Sequence, residues 1–241
     1  MVLEALSDDI PPDAANEPLK AFVNRDAFFS SHPQLADRIL AAGELRRLGD
    51  GETAGGTGEA TRTITGLVDG ALVAWLPIED GSFRPVHVLR DGAWLVSNPL
   101  IQQAPRRVTF TASGSVRLLH IEQDGVDALL AAHPELWRWI SRIVALHLDR
   151  ALDICVGLLA DRPIARIASR LLALTSEDDG AHVAVELKQS DLALLSGLSR
   201  NTVSRMLGQL EGRGLIARGY RRLRVLDRNG LARIAAGVEL G

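Results

Sequence analysis

The stretch Leu187–Ile216, LKQSDLALLSGLSRNTVSRMLGQLEGRGLI, constrains the fold more than any other part of the chain. It reads as a helix-turn-helix followed by the first strand of a wing. Leu192, Ala193 and Leu195 fall at helical spacing on a short first helix. Gly197 stands where the chain must turn sharply, and a residue without Cβ reaches positive φ cheaply. Ser199 is placed to cap a second helix by accepting a bond from a free backbone N–H. Val203, Met206, Leu207 and Leu210 form that helix's buried stripe at i, i+3, i+4 and i+7. Its other face carries Arg200, Asn201, Ser204 and Arg205, which can reach base edges or phosphates from a helix in the major groove. Counted from Gln189, a small Ala at the fifth position, Gly at the ninth and Val at the fifteenth let two helices cross closely. An ordinary helical hairpin with a solvated basic face would show the amphipathic pattern without needing that spacing.

Charge follows the same division. Residues 161–241 carry a net +4 and residues 1–160 a net −7, which together give the chain's −3. Between 200 and 224 there are seven arginines and one acid, Glu211. A mildly acidic protein with one basic end is the asymmetry of a sensor joined to a nucleic-acid reader. After the second helix, Leu215-Ile216-Ala217 and Leu223–Leu226 read as wing strands around a turn holding Arg218, Arg221 and Arg222. Arginines at such a tip meet phosphates more often than bases. Asp227 is positioned to cap a last helix through Ala236.

From about 48 to 122, short β-prone runs alternate with Gly and Asp turns: Arg62–Val68, Ala71–Ile78, Pro85–Leu89, Val108–Ala112 and Val116–Ile121. This pattern predicts an antiparallel β-roll. The glycines of 49–60 read as roll turns, because the segment lacks the P-loop ending and the strand-to-helix setting of a dinucleotide fingerprint. Residues 35–47 read as a helix. From 133 to 160, Trp137, Ile140, Val144, Leu148, Ala151, Cys155 and Leu158 recur at steps of three or four. That predicts one long helix, with one side packed on its own roll and the other paired with a second copy of itself. Asp161-Arg162-Pro163 breaks it, with Asp161 as the expected N-cap of the next helix. The expected class is α+β, with a roll sensor domain and N-terminal tail and helix over 1–132, a dimerisation helix over 133–160, and a winged helix-turn-helix over 161–241.

At 46% apolar and 24% charged residues the composition is that of a globular protein with sizeable cores. No apolar run is long enough for a membrane span, and the N-terminus lacks the basic start and apolar core of a signal peptide. The cytoplasm is the expected location. Cys155 is the single cysteine. It excludes an internal disulfide and a four-cysteine iron–sulfur cluster, and its place in the seam suggests packing rather than redox sensing.

Roll, long helix, hinge Asp161, helix-turn-helix and wing, in that order over 35–236, resemble the CRP/FNR family of bacterial transcription regulators. The strongest part is LSRNTVSRMLGQLEGRGLI, similar to the family's S-R-x-T-V-x-R-x-L-x-x-L-E pattern. The resemblance implies a cyclic-nucleotide-binding-like jelly roll. It also implies a homodimer on double-stranded DNA with two-fold related half-sites, and contact with RNA polymerase. By residue match, Arg200, Asn201 and Arg205 would read bases, and Lys188, Gln189, Ser199 and Thr202 would hold phosphates.

The sensing half departs from the family. Cyclic-nucleotide members carry Gly-Glu-Leu and, ten residues beyond the Glu, an Arg followed by Ser or Thr. Here Leu95 and Val96 occupy the Gly-Glu positions, Arg106 keeps the phosphate position, and Arg107 replaces the small hydroxyl residue. Ala151 and Leu152 stand where a base would be read, and neither side chain can hydrogen-bond. Cyclic nucleotide is therefore not expected to bind tightly, and Arg106 is expected to be an exposed roll arginine. Haem, held in some family members by a histidine, is a candidate cofactor with His87, His120 and His147 as candidate ligands, although no spacing singles one out. No His/Cys cluster has metal spacing, and no nucleophile elbow or phosphate loop points to an enzyme. The remaining alternative is a scaffold protein whose roll binds a small molecule and whose winged helix meets protein.

Overall fold

The computed structural model describes residues 12–175, 184–186, 189–219 and 222–237, of which 12–16, 184–186 and 222 are described by their backbone. The chain forms two compact units. One runs to Leu72 and resumes over Arg90–Ile143; the other takes Val73–Leu89 and the chain from Val144 on.

The first unit begins with three helices, α1 (Pro12–Arg25), α2 (Ala27–Ser31) and α3 (Pro33–Ala42). Strands β1 (Glu44–Leu48), β2 (Thr53–Gly55), β3 (Ile64–Pro77), β4 (Phe83–Arg90) and β5 (Trp94–Val96) follow, the end of β3 and nearly all of β4 being counted with the other unit. Then come α4 (Asn98–Gln102), β6 (Thr109–Ile121), α5 (Gln123–Ala132) and the long α6 (Leu136–Leu159). The sheet runs β1-β6-β3-β4, with β2 also on β6 and β5 on β3. Its β1–β6, β2–β6 and β3–β5 pairs are antiparallel. This is the expected roll, with differences in detail. The helix expected over 35–47 ends at Ala42, and Glu44–Leu48 instead pairs with Val116–His120. The Gly-rich 49–60 stretch contains β2 as well as turns. The turn expected at Asp69-Gly70 is absent, and β3 continues through it. Gly70 lies at φ +96, and a Cβ there would sit 2.6 Å from the Ser115 carbonyl oxygen, so the two strands approach closely where only glycine fits.

The mainly aliphatic core of this unit contains an aromatic cluster. Trp94 lies 5.0 Å from Trp139 and 4.7 Å from Phe22, and Phe29 lies 4.9 Å from Trp139, measured between ring centroids. Asp26 ties the N-terminal helices to α6. Its carboxylate caps α2 by accepting from Phe28 N at 2.9 Å. It also accepts from Trp139 Nε1 at 3.1 Å and from Arg142 Nη2 at 2.6 Å. The buried indole N–H thereby has the partner it needs.

In the second unit, α6 continues to Leu159 and α7 (Pro163–Ala173) follows. They touch where Gly157 meets Ser169. The N-cap of α7 is Arg162, which makes no side-chain capping bond, so the Asp161 cap does not form. Arg166 Nε closes the turn instead by donating to the Ala160 carbonyl at 3.1 Å. Beyond α7 lie β7 (Ala184–Glu186), α8 (Gln189–Ser196), α9 (Arg200–Gly212), β8 (Ile216–Gly219), β9 (Arg222–Val225) and α10 (Arg228–Ala235). The wing is a sheet of order β7-β9-β8, one strand more than the sequence suggested. Asp227 caps α10 as expected, accepting from Gly230 N at 2.8 Å. Arg228 anchors that helix to the end of α7 through Thr175 Oγ1 and the Thr175 carbonyl.

Replacing Asp26 by Ala removes a helix cap and strands the Trp139 N–H. This is expected to cost about 2 kcal/mol, the scale of a lost cap together with a lost charged hydrogen bond. A lowered thermal midpoint followed by tryptophan fluorescence checks it, and an unchanged midpoint would show that the carboxylate is dispensable.

Candidate nucleic-acid interface and sensor site

The helix pair α8 and α9 follows from local chemistry. Leu192, Ala193 and Leu195 are buried on α8, and Val203, Met206, Leu207 and Leu210 on α9. Gly197, at φ +63, turns the chain between them. Ser199 is the N-cap of α9, its Oγ accepting from Thr202 N at 3.1 Å and lying 2.9 Å from Thr202 Oγ1. With its stripe buried, the helix presents Arg200, Asn201, Ser204 and Arg205 to solvent. Its first turn holds no acid, so the positive end of the helix stays available to anions. Gln189 is exposed at the start of α8. Lys188 and Arg221 lie outside the described residues, and Arg222 is placed by its backbone at the start of β9.

One feature of this interface was not anticipated. Glu211, the acid among the basic cluster, clasps β8 to α9. Its Oε1 accepts from Arg218 N at 3.0 Å, and its Oε2 accepts from Arg218 Nε and Nη2, both at 2.6 Å. Arg218 is thereby held by the recognition helix rather than left to swing. The bonds from Arg218 hold the Glu211 carboxyl below its ordinary value. Its presence as the lone acid within 200–224 was the signal available in the sequence.

The residues matched to an effector fall in both units. In the first, Arg106 is 8% exposed, so the expectation of a surface arginine fails. Its Nη2 donates to Thr63 Oγ1 at 3.1 Å, its Nε lies 3.5 Å from Glu59 Oε2, and its Cζ lies 5.9 Å from the Phe110 ring centroid. Burial pulls the guanidinium down from its ordinary value, and Glu59 opposes that shift. Val96 is half-buried and pairs with Ile64, the neighbour of Thr63. In the second unit, Ala151 and Leu152 are exposed on α6. Among the haem candidates, His120 is buried with Nδ1 2.8 Å from Thr65 Oγ1 and Nε2 3.2 Å from Glu122, so both ring nitrogens are engaged. Burial, reinforced by Arg46, holds this imidazole below its ordinary value. His87 and His147 also have partners. Cys155 is exposed within the single chain.

Arg170 is a second residue that the sequence motifs do not single out. It is buried on α7, and its Nη1 donates to the Val86 carbonyl at 3.2 Å. Its spacing from Ile167, Leu171 and Leu174 places it on the apolar stripe, which could have marked it.

Because the Glu211 carboxyl is depressed, its contribution is present above the unfolded value and is lost as pH falls through the folded one. Acidification below the ordinary carboxylate range should therefore free the Arg218 Nε–H. Glu211→Gln should free it at neutral pH. The Arg218 Nε–H exchange rate checks both, and slow exchange in the variant would show that the clasp does not hold the strand.

Comparison with known proteins agrees with this geometry. Residues 165–234 match the Crp-like helix-turn-helix domain. The HTH-type transcriptional regulator Cmr of Mycobacterium tuberculosis is 30% identical over 148 residues, which span 61% of this chain and 58% of that relative. The CRP-like cAMP-activated global transcriptional regulator of the same organism is 25% identical over 190 residues, 77% of this chain and 85% of the relative. The solved structure of FixK2 from Bradyrhizobium japonicum matches with a TM-score of 0.67, covering 83% of this chain and 98% of that one, at 19% identity. Geometry and relatives agree: residues 165–234 carry a Crp-like helix-turn-helix domain, and the chain is similar to CRP-like transcriptional regulators.

Proposed function

We propose that the chain is a homodimeric, sequence-specific transcription regulator that reads double-stranded DNA with α9, and that its roll does not take cyclic nucleotide. The observation that carries this reading is the exposed row Arg200, Asn201, Ser204 and Arg205 opposite a fully buried stripe. Such an outer face, with basic and amide side chains in one row, fits a polyanionic partner with base edges. Gln189, Ser199 and Thr202, with Lys188, Arg221 and Arg222, fit phosphate contacts that position the helix.

The second copy is supported by α6. Val144, Leu148, Leu152, Val156 and Leu159 are exposed along it, with Leu148 at 59% and Leu159 at 79%. Apolar side chains at helical spacing are driven out of water by about 25 cal/mol per Å², and two copies of this face in a two-fold seam would bury them. A two-fold dimer matches two related half-sites. Contact with RNA polymerase and a cytoplasmic location belong to the same reading; no helix among the described residues is long and apolar enough to cross a membrane.

On the sensor side, Val96, Ala151 and Leu152 offer no side-chain hydrogen bonds to a nucleotide, and each missing buried partner costs about 1–3 kcal/mol. His120 is not part of a haem reading, because Thr65 and Glu122 engage both its ring nitrogens; His87 and His147 stay as the candidate ligands should haem bind.

Two outcomes are expected. Val144→Glu with Leu148→Glu should convert a dimer to monomers in sedimentation, since like charges would be buried against their mates; an unchanged dimer places the interface elsewhere. In a binding-site selection, Arg200→Ala and Arg205→Ala should each flatten preference at a half-site position by about 1–3 kcal/mol. Arg221→Ala and Arg222→Ala should weaken all sequences alike. Wing variants that change base preference while the α9 variants preserve it would put the reading head on the wrong element.

A further inference from the structure

The Arg106 guanidinium is enclosed by named neighbours. Thr63 Oγ1 takes Nη2 at 3.1 Å, and Phe110 lies beside Cζ. The backbone of Gly55 is so near that a Cβ there would stand 3.0 Å from Cζ. The remaining neighbour is Glu59, the most exposed of the four. Its position is not accidental. The backbones of 58–59 and 106 are bonded together, with Arg106 N donating to the Glu59 carbonyl at 2.8 Å and Gly58 N to the Arg106 carbonyl at 2.8 Å. The Glu59 carboxylate is then oriented by Gly56 N, which donates to Oε1 at 2.7 Å. Its other oxygen lies 3.5 Å from Arg106 Nε, near enough to neutralise the charge but too far for a good hydrogen bond, so the buried Nε–H has no hydrogen-bond partner.

We propose that Glu59 is the built-in counter-anion of Arg106 and bars external oxyanions, including phosphate esters, from that guanidinium. The pair is already neutral. An arriving monoanion would leave a net negative charge in a partly dehydrated site, beside a carboxylate that the Gly56 N–H holds in place. The unsatisfied Nε–H marks what an oxyanion would gain if Glu59 were absent. Burial lowers the guanidinium's affinity for its proton and the Glu59 charge partly offsets that, in keeping with Glu59 as its counter-charge. Glu59 is thus a specificity-determining residue that turns an arginine suited to phosphate into one already occupied, leaving the roll to ligands without an anionic group. This rests on the roll alone and is independent of the DNA-binding reading.

The test uses the full-length protein with 15N label and inorganic phosphate as the probe, at constant ionic strength. The Arg106 Nε–H cross-peak is identified by its disappearance in Arg106→Ala. In wild type, phosphate should leave it unmoved. In Glu59→Gln, which keeps an oxygen for Gly56 N–H and removes the charge, it should shift saturably, with affinity raised at least about tenfold, a modest part of the repulsion between adjacent like charges. Adding Arg106→Ala to Glu59→Gln should abolish phosphate binding measured by calorimetry. If Glu59→Gln does not fold, Glu59→Ala is read in the same way. The proposal is overturned if the Glu59 variant is as insensitive as wild type, if wild type responds with the same midpoint, or if binding survives in the double variant.

Discussion

Burial of Val203, Met206, Leu207 and Leu210 is the constraint on which the chain's outward chemistry depends. An α-helix has one rotational setting that hides such a stripe, and at 3.6 residues per turn that setting sends Arg200, Asn201, Ser204 and Arg205 outward. The Ser199 cap fixes where the helix starts, and Gly197 fixes the angle at which α8 meets it. Glu211 then uses the far end of the same helix to hold the wing strand through Arg218. Packing, capping and one ion pair together define a basic surface of fixed shape. A shaped surface separates a sequence reader from a merely basic tail.

This region was legible in the sequence because its determinants are local. The stripe, the Ser199 and Asp227 caps and the Gly197 turn each act within a few residues, so the spacing alone predicts them. The roll was legible only in outline. Glu44–Leu48 is a strand because Val116–His120, distant in sequence, offers it a partner; its own residues continue the helical period of 35–42. The Asp69-Gly70 pair looks like a turn, yet β3 passes through it because Ser115 comes close. Asp161 looks like a cap, yet Arg166 supplies the closing bond from within the helix. In each case a contact between residues far apart, or a long side chain folding back, outweighed the local preference.

The sensor half shows the same limit more sharply. Arg106 could be aligned with a phosphate-binding position from sequence, but its burial could not be read, because Thr63 and Glu59 lie on other segments. A buried guanidinium must be neutralised, and here the chain does this with its own carboxylate. Along with the apolar Val96, the roll thus holds a buried cation whose counter-charge comes from its own chain.

The central claim is that α9 and the wing engage duplex DNA through its phosphates and base edges. The most direct test is the dependence of duplex binding on salt concentration, because each neutralised phosphate releases counterions. A plot of log Kobs against log salt should fall with a slope steeper than about −4 for a dimer making several phosphate contacts on each half-site. A flat dependence, or binding to a protein partner with no affinity for duplex, would contradict the account.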